Sequence, residues 1–173
     1  VSRTLKMAEQ YFEGNISGDA ASVPPLSKES TQGGIAGLNI PYLVINDLLT
    51  RYHAHMRAYE INKAADVIWE LIGRLDQFIA DYEPFKLVKT DKDTTQKVFW
   101  GLLYGLRELC GMLTPIMPDT AATILELLGA TEVERAVEIA FTTKTPTEPL
   151  FMRKEAARPV PFEMHAYLLA SKL

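Results

Sequence analysis

Hydrophobic residues in this chain recur at intervals of three and four, the spacing that places them on one face of an α-helix. The clearest row predicts one long, amphipathic helix. It consists of Ile61, Ala64, Ala65, Ile68, Ile72, Leu75, Ile79 and Tyr82. We expect Asn62 to cap the first turn and Trp69, at the border of the row, to be a core aromatic. Pro84 should end the helix, because proline lacks an N–H and disfavours helical angles at the residue before it.

The same period predicts four further helices, and no segment shows the alternation typical of strands. The helices are residues 3–12, about 40–59, about 94–113, and a short one from Pro118 to Gly129. Residues 133–141 have a weaker helical pattern. Gly101 and Gly105 lie four apart on one helix face, where we expect them to admit a neighbouring helix backbone, since each weakens a helix by about 1 kcal/mol relative to alanine. The predicted fold is therefore all-α, a bundle of about five helices.

Two segments lack this pattern and are predicted to be irregular. Residues 15–38 are rich in Gly, Ser, Pro and Ala, so we expect a long surface loop over 14–38, after the first helix. The GGIAG string in it is no phosphate-binding loop, because no strand precedes it and no Gly-Lys-Ser/Thr follows. From Thr142 onward, recurring prolines predict an extended tail. We expect the bundle to span residues 1–155 and a C-terminal tail with one short helix to occupy 156–173.

Composition and charge leave room for a nucleic-acid-binding surface. The chain has 173 residues, 47% of them hydrophobic, and a formal net charge of −4. This charge argues against binding nucleic acid through overall positive charge, but it allows a local basic edge. No apolar run approaches the roughly 20 residues of a membrane span, and we expect no secretory leader. Because Val1 begins within a helical pattern, we expect a domain of a longer protein.

No motif indicates a catalytic or metal centre. The chain lacks a nucleophile elbow, a His-Glu-x-x-His sequence, a Cys-x-x-Cys pair and a P-loop. His53 and His55 lie about 200° apart around a helix, so they cannot bind one metal together, and we expect them to be solvated or locally hydrogen-bonded. The single cysteine, Cys110, lies in an apolar pattern and is predicted to be a core residue of a cytoplasmic protein. We expect no catalytic residue, metal or cofactor in this domain.

An aromatic residue and two lysines follow the predicted end of the long helix. Phe85 comes directly after Pro84, and Lys86 and Lys89 follow it. An aromatic ring at the mouth of a helix bundle beside two ammonium groups is suited to stacking a nucleic-acid base. These residues alone leave two interpretations open. Phe85 either stacks a base or seals the end of the bundle, and the lysines either bind phosphate or are ordinary surface residues.

Six segments, taken together in order and spacing, resemble one known family. They are RTLKMAEQYFEG, YEINKAADVIWELI, DYEPFKLVK, LTPIMP, ILELLG and TEPLFMRKE. The resemblance is to the anticodon-binding domain of bacterial methionyl-tRNA synthetases, which are class I aminoacyl-tRNA synthetases, and it covers residues 3–155 apart from 15–38. It implies a C-terminal bundle that binds the anticodon stem-loop of tRNA and recognises the CAU bases. It also implies a longer enzyme that joins methionine to its tRNA, with ATP and methionine bound by an upstream catalytic domain that this chain lacks.

The resemblance assigns roles to individual residues. Arg3 matches an arginine that contacts anticodon bases, Phe85 matches a tryptophan on which a base stacks, and Asp76 matches an asparagine on the inner face. Phe85 and Asp76 depart from the family pattern, as does Met152, which replaces a proline. Phenylalanine offers a smaller stacking face than tryptophan, and an aspartate repels phosphate unless its charge is offset.

Three lysines are the candidates for phosphate contacts, and two rival functions compete with this one. The lysines are Lys6, Lys86 and Lys89. A sister class I synthetase, for isoleucine, valine or cysteine, would share the same architecture. A non-enzymatic helical domain that binds protein would instead expose an apolar groove and lack a basic rim near Arg3 and Phe85.

Overall fold

A computed structural model describes residues 1–19, 23–24, 40–129, 138–148 and 150–151. Within these ranges the chain forms six helices and two strands. In chain order they are α1 Ser2–Phe12, β1 Asn15–Asp19, α2 Ile40–Arg57, α3 Ile61–Tyr82, α4 Pro84–Leu87, α5 Lys92–Leu113, α6 Pro118–Leu128 and β2 Glu138–Thr142. The predicted all-α bundle of about five helices is confirmed, with α4 as an additional single turn. Most of the predicted 14–38 loop, Met152 and the predicted 156–173 tail lie outside the described residues.

Helix α5 lies at the centre of the bundle. It contacts α1, α2, α3, α4, α6 and β1. Its buried apolar side chains occupy most of the helix circumference: Val98, Phe99, Trp100, Leu102, Leu103, Leu106, Leu109, Cys110 and Met112. A helix surrounded in this way must be apolar on nearly every side. Cys110 is a core residue, as predicted, and burial raises the pKa of its thiol to about 12.

Two glycines of α5 allow other residues to approach its backbone closely. A Cβ atom at Gly105 would lie 2.5 Å from Cδ2 of Leu75 on α3, and one at Gly101 would lie 2.6 Å from Cγ1 of Val23. Carbon atoms in favourable contact are about 3.5–4.0 Å apart, so larger residues would push these neighbours away. Close packing at Gly101 and Gly105 is therefore present, but side chains fill the space, and the expected approach of a neighbouring helix backbone is wrong; at Gly105 the neighbour is Leu75 of α3.

Helices α2 and α3 pack against each other after a short junction, as predicted. The Tyr52 hydroxyl donates a hydrogen bond of 2.8 Å to the carbonyl of Met112, which joins α2 to α5. The start of α3 differs from the prediction, because Glu60 occupies the N-cap position and no side chain caps the helix. Asn62 lies inside the first turn, and a capping residue must precede the first helical residue. The prediction that Asn62 caps α3 is therefore wrong.

Trp69 is exposed rather than buried. Its side chain is 70% exposed, so the prediction of a core aromatic is wrong. Six residues separate Trp69 from the buried Leu75, which places the two about 120° apart around α3. Gly73 and Asp76, which are also exposed, lie on the same flank of the helix as Trp69. The flank that they share faces away from α5.

A small antiparallel sheet closes the bundle, where the sequence predicted a loop and a weak helix. Strand β1 pairs with β2 from Asn15 opposite Thr142 to Asp19 opposite Glu138. The side chains of Ile16, Ile139 and Phe141 are buried beneath it: their exposed fractions are 1%, 8% and 1%. The sheet is fixed to α5 by two side-chain bonds: Trp100 Nε1 donates to the carbonyl of Ile139 at 2.8 Å, and Gln96 Nε2 donates to the carbonyl of Ser17 at 3.0 Å.

Two glycines in left-handed conformation bring this sheet against the helix ends. Gly14 has φ 75° and Gly129 has φ 60°. The Thr143 N–H donates to the carbonyl of Gly14 at 2.8 Å, and the Lys144 N–H donates to that of Leu127 at 2.8 Å. A Cβ atom at Gly129 would collide with the carbonyl oxygen of Thr142. Glycine is needed at this position both for its φ and for the space that it leaves.

We predict that Gly129→Ala lowers the free energy of unfolding by about 1–3 kcal/mol, because alanine is strained at this φ and its Cβ would displace the backbone after β2. The matched control is Gly73→Ala, since nothing lies within 4 Å of a Cβ built at Gly73. That change should raise the free energy of unfolding by about 0.5–1 kcal/mol. Urea unfolding followed by circular dichroism measures both. Equal midpoints for the two variants would show that the Gly129 conformation does not limit stability.

Candidate nucleic-acid interface

The end of α3 is built so that Phe85 points away from the core. Glu83 ends the helix in a left-handed conformation, with φ 41° and ψ 59°, and its N–H donates to the carbonyl of Ile79 at 3.0 Å. Pro84 is buried and begins α4, where its missing N–H would have had no helical partner. The helix therefore ends as predicted, and the chain resumes as a single turn. Phe85 is 44% exposed on this turn.

The two lysines beside Phe85 differ in their electrostatic surroundings. The Lys86 ammonium lies 2.6 Å from a carboxylate oxygen of Glu83 and 5.8 Å from the centre of the Phe85 ring. Lys89 is exposed, and its N–H donates to the carbonyl of Lys86 at 3.1 Å. Among the described residues, Lys89 belongs to no ion pair. The charge of Lys86 is thus partly satisfied, whereas that of Lys89 is available to an external anion.

Arg3 and Asp76 lie in the same region, where α1 begins beside α3. Arg3 and Lys6 are exposed one turn apart on α1, while Leu5 and Ala8 are buried against the core. Burial lowers the pKa of the Val1 amino group, the Asp76 carboxylate opposes that effect, and Arg3 adds to it. Both side-chain charges therefore act on the amino group of Val1.

The six predicted residues are all exposed, and they form two groups. One group is on α1 and α3: Arg3, Lys6 and Asp76. The other is on α4 and the turn after it: Phe85, Lys86 and Lys89. Asp76 and Glu83, at the end of α3, are separated by about 10 Å along the helix axis. Direct contacts among the described residues join members of the second group, Lys86 with Phe85 and Lys89 with Lys86, whereas Arg3 and Asp76 are related only through their effect on the Val1 amino group.

Two exposed residues near these groups were missed by sequence reasoning. Lys92, the first residue of α5, holds its ammonium 5.6 Å from the centre of the Phe12 ring at the end of α1. The sequence did contain a signal for Lys92, since a lysine in the first turn of a helix opposes the helix dipole and is therefore unusual there. The second missed residue is Trp69. It lies two helical turns before Asp76, so the spacing already placed it on the same side of α3 as this candidate residue.

Titratable groups elsewhere do not assemble into a reactive centre. The His55 Nδ1 atom lies 2.8 Å from a carboxylate oxygen of Glu60, so this histidine is locally hydrogen-bonded, as predicted. Burial raises the pKa of the Glu108 carboxyl, and the adjacent Arg107 opposes that effect. In the described ranges no three His, Cys, Asp or Glu side chains form a group that would hold a metal ion. No helix there combines the length and the apolar character that a membrane crossing requires.

Fold and site together define an all-α domain that presents an aromatic ring and cations at the ends of its helices. The chain belongs to the family of the anticodon binding domain of methionyl tRNA ligase, whose family model matches residues 39–146. This confirms the resemblance, and it separates the chain from the sister synthetases.

Individual relatives agree with the family assignment. Methionine–tRNA ligase of Clostridium acetobutylicum is 30% identical over 126 residues, which are 72% of this chain and 18% of that protein. The enzyme of Streptococcus pyogenes serotype M3 is 28% identical over 135 residues, 77% of this chain and 19% of its own. The chain thus spans about a fifth of the length of these relatives.

A solved structure shows the same fold. It is that of Mycobacterium tuberculosis methionyl-tRNA synthetase in complex with methionyl-adenylate, with a TM-score of 0.68 and 22% identity. The match covers 88% of this chain and 30% of that one.

We predict that Glu108→Gln stabilises the fold at pH 7 and that the gain disappears in acid. A raised pKa means that the folded state favours the protonated carboxyl. Stability from this group is therefore fully present below the unfolded pKa, about 4.3, and falls as pH rises through the folded pKa. Urea unfolding of parent and variant at several pH values measures the difference. Glu126→Gln, at an exposed position on α6, is the control. A gain that does not change with pH would contradict the burial of the Glu108 charge.

Proposed function

We propose that this chain binds the anticodon stem-loop of tRNA within a methionine–tRNA ligase, the enzyme that attaches methionine to its tRNA with ATP. The observation that carries the proposal is the half-exposed ring of Phe85, held out by the turn at Pro84 beside Lys86, in a chain of this family. A half-exposed ring at the end of a bundle, beside an ammonium group, is suited to stacking a base. Single-stranded loops are the part of RNA whose bases are free to stack in this way.

The other candidate residues suit different kinds of RNA contact, because their side chains differ in chemistry. Arg3 offers a planar fork of donors for base edges and phosphates, and its charge is permanent. Lys6 and Lys89 are exposed, belong to no ion pair within the described residues, and suit phosphate contacts. Lys86 is less suited to a phosphate contact, since its ammonium already pairs with Glu83. This basic rim is what a protein-binding helical domain would lack.

Asp76, at an exposed position of α3, suits a base edge better than the RNA backbone. A carboxylate repels phosphates, but it accepts hydrogen bonds from the exocyclic amino group of cytosine. The replacement of the usual asparagine therefore removes a donor and keeps an acceptor.

The proposal places the chemical step outside this chain. ATP and methionine would bind a catalytic domain in the remainder of the polypeptide, which in the relatives is about four-fifths of the length. The full enzyme would act in the cytoplasm, where a free buried thiol such as Cys110 is stable. This domain would contribute recognition and positioning of the tRNA, and no cofactor of its own.

We predict that the chain binds a CAU anticodon stem-loop more tightly than a loop with a scrambled anticodon, and that Phe85→Ala weakens CAU binding. Loss of one base stack, about 1–3 kcal/mol, corresponds to a roughly 5- to 150-fold loss of affinity. Fluorescence titration with labelled stem-loops at two salt concentrations measures both. Phe85→Trp should tighten binding, because indole offers a larger face.

The control for an exposed aromatic is Tyr59→Ala. Tyr59 is 89% exposed and lies before α3, about 33 Å along that helix from α4. This variant should bind like the parent, and neither variant should shift the thermal unfolding midpoint by more than a few degrees. Equal affinity of parent and Phe85→Ala would exclude the stacking role. Equal binding of both loops, lost at high salt, would leave a shape-dependent tRNA binder without anticodon preference.

A further inference from the structure

Two lysines at the α4–α5 end of the bundle lie over aromatic rings, and one of them joins two helices. Lys86 lies over its neighbour Phe85. Lys92 begins α5, and its ammonium lies 5.6 Å from the ring centre of Phe12, the last residue of α1. Ammonium groups within about 6 Å of a ring centre are attracted to its π-face. Lys92 is thus held where the end of α1 meets the start of α5.

The Phe12 ring is itself fixed from beneath. It packs edge-to-face on Phe99, with ring centres 5.6 Å apart and planes at 65°. Phe99 is fully buried in α5. A lysine resting on an immobile ring has fewer conformations to lose when it binds an anion than a lysine that extends freely into water. The Lys92 ammonium is therefore partly preorganised.

The charge of Lys92 is not neutralised within the described part of the chain. Lys92 belongs to no ion pair there, in contrast to Lys86. The preceding Asp91 is engaged as the N-cap of α5: its carboxylate accepts from the Thr94 N–H at 2.9 Å and from the Thr94 hydroxyl at 2.6 Å. Asp93 is exposed on the following position. The three ammonium donors of Lys92 remain open to an external acceptor.

The position of Lys92 is poor for the stability of its own helix. A cation in the first turn opposes the helix dipole, whereas an acidic residue there complements it. The attraction to the Phe12 ring and the repulsion from the dipole are of similar size and opposite sign. The lysine therefore contributes little to folding, which points to a role outside the fold.

Lys92 begins the helix that follows Phe85 along the chain, and this helix contacts the α4 turn that carries Phe85. Its ring partner Phe12 ends α1, the helix that presents Arg3 and Lys6 at its other end. We propose that Lys92, held over Phe12, binds a phosphate of the loop strand whose base stacks on Phe85. This inference rests on the proposed function, and it adds a backbone contact that positions the strand without reading its sequence.

The test is the salt dependence of binding. A contact to one phosphate of a single strand contributes about 0.7 to the slope of log affinity against log salt. We predict that Lys92→Gln lowers affinity for the CAU and the scrambled stem-loops by the same factor, about three- to tenfold at low salt, and reduces the slope by about 0.7–1. The variant should keep the urea unfolding midpoint of the parent, because the two effects on α5 oppose each other.

Two further variants separate the effect of the Lys92 charge from the effect of the Phe12 ring. Lys63→Gln is the matched control, since Lys63 lies in the first turn of α3 and its ammonium pairs with Glu60 at 2.7 Å. It should leave affinity and slope unchanged. Phe12→Leu keeps the Lys92 charge and removes the ring, so the slope should stay near that of the parent while affinity falls by a smaller factor than in Lys92→Gln.

Each contrary outcome has a distinct meaning. Binding by Lys92→Gln that matches Lys63→Gln in affinity and slope would overturn the phosphate contact and leave the proposed function standing. A selective loss of CAU preference in Lys92→Gln would show that Lys92 contacts a base, and the phosphate assignment would be wrong. If the parent bound neither loop at low salt, both the proposed function and this contact would fail.

Discussion

The close approach of α3 to α5 determines where the candidate interface lies. Gly105 leaves room for Leu75 to reach the α5 backbone, and this contact fixes the depth and rotation of α3. Asp76 follows Leu75 directly, so the packing that buries one side chain turns the other toward solvent. Because a helix is stiff, the same contact sets the place where α3 ends at Glu83 and α4 presents Phe85. A side chain at Gly105 would therefore displace Leu75 and with it the candidate interface residues on α3 and α4.

The position of α1 depends on the small sheet on the other side of α5. Trp100 donates to the carbonyl of Ile139 and thereby fixes β2 on the central helix. The chain after β2 then bonds to Gly14, directly after α1, through the N–H and the hydroxyl of Thr143. Arg3 is thus held by contacts that involve residues more than 130 positions later. The two short strands therefore connect the first helix of the bundle to the segment that follows β2.

The sequence predicts best those elements in which the apolar pattern recurs over several helical turns. The eight apolar positions predicted α3, and Pro84 marked its end. The buried face is rotated from the predicted row, because Ile61 is exposed and the buried Val67, Leu71 and Phe78 were not part of it. The strands are five residues long and place few apolar side chains inward, Ile16 on β1 and the pair Ile139 and Phe141 on β2, which is too short a pattern to detect. The prediction that Trp69 is buried was wrong for another reason. A residue at the border of an apolar row is buried only if a neighbouring element lies on that side, and the pattern does not say which side. Contacts between distant positions, such as Phe12 and Lys92, leave no local signal.

A net charge of −4 is compatible with RNA binding because several cations at the candidate interface are unpaired among the described residues. On α2 and α3, Arg51 and Arg74 share Glu70, and surface pairs of this kind leave little net charge to attract an external anion. At the candidate interface Arg3, Lys89 and Lys92 have no such partners among the described residues. Unpaired cations also occur elsewhere on the described surface, for example Arg57 and Lys144, so the interface differs by combining them with the exposed ring of Phe85.

This arrangement has a consequence for selectivity. Under the proposed function, a small number of unpaired cations at the interface would give weak nonspecific attraction to RNA, since such binding scales with the number of phosphates neutralised. The net negative charge of the chain would oppose contacts outside the interface. Discrimination would then fall to the groups proposed to contact bases, a phenylalanine ring in place of a larger indole and a carboxylate in place of an amide. Because these two substitutions reduce stacking area and remove a donor, the geometry that holds Phe85, Arg3 and Asp76 in place becomes more important: a smaller set of base contacts is selective only when each is rigidly positioned.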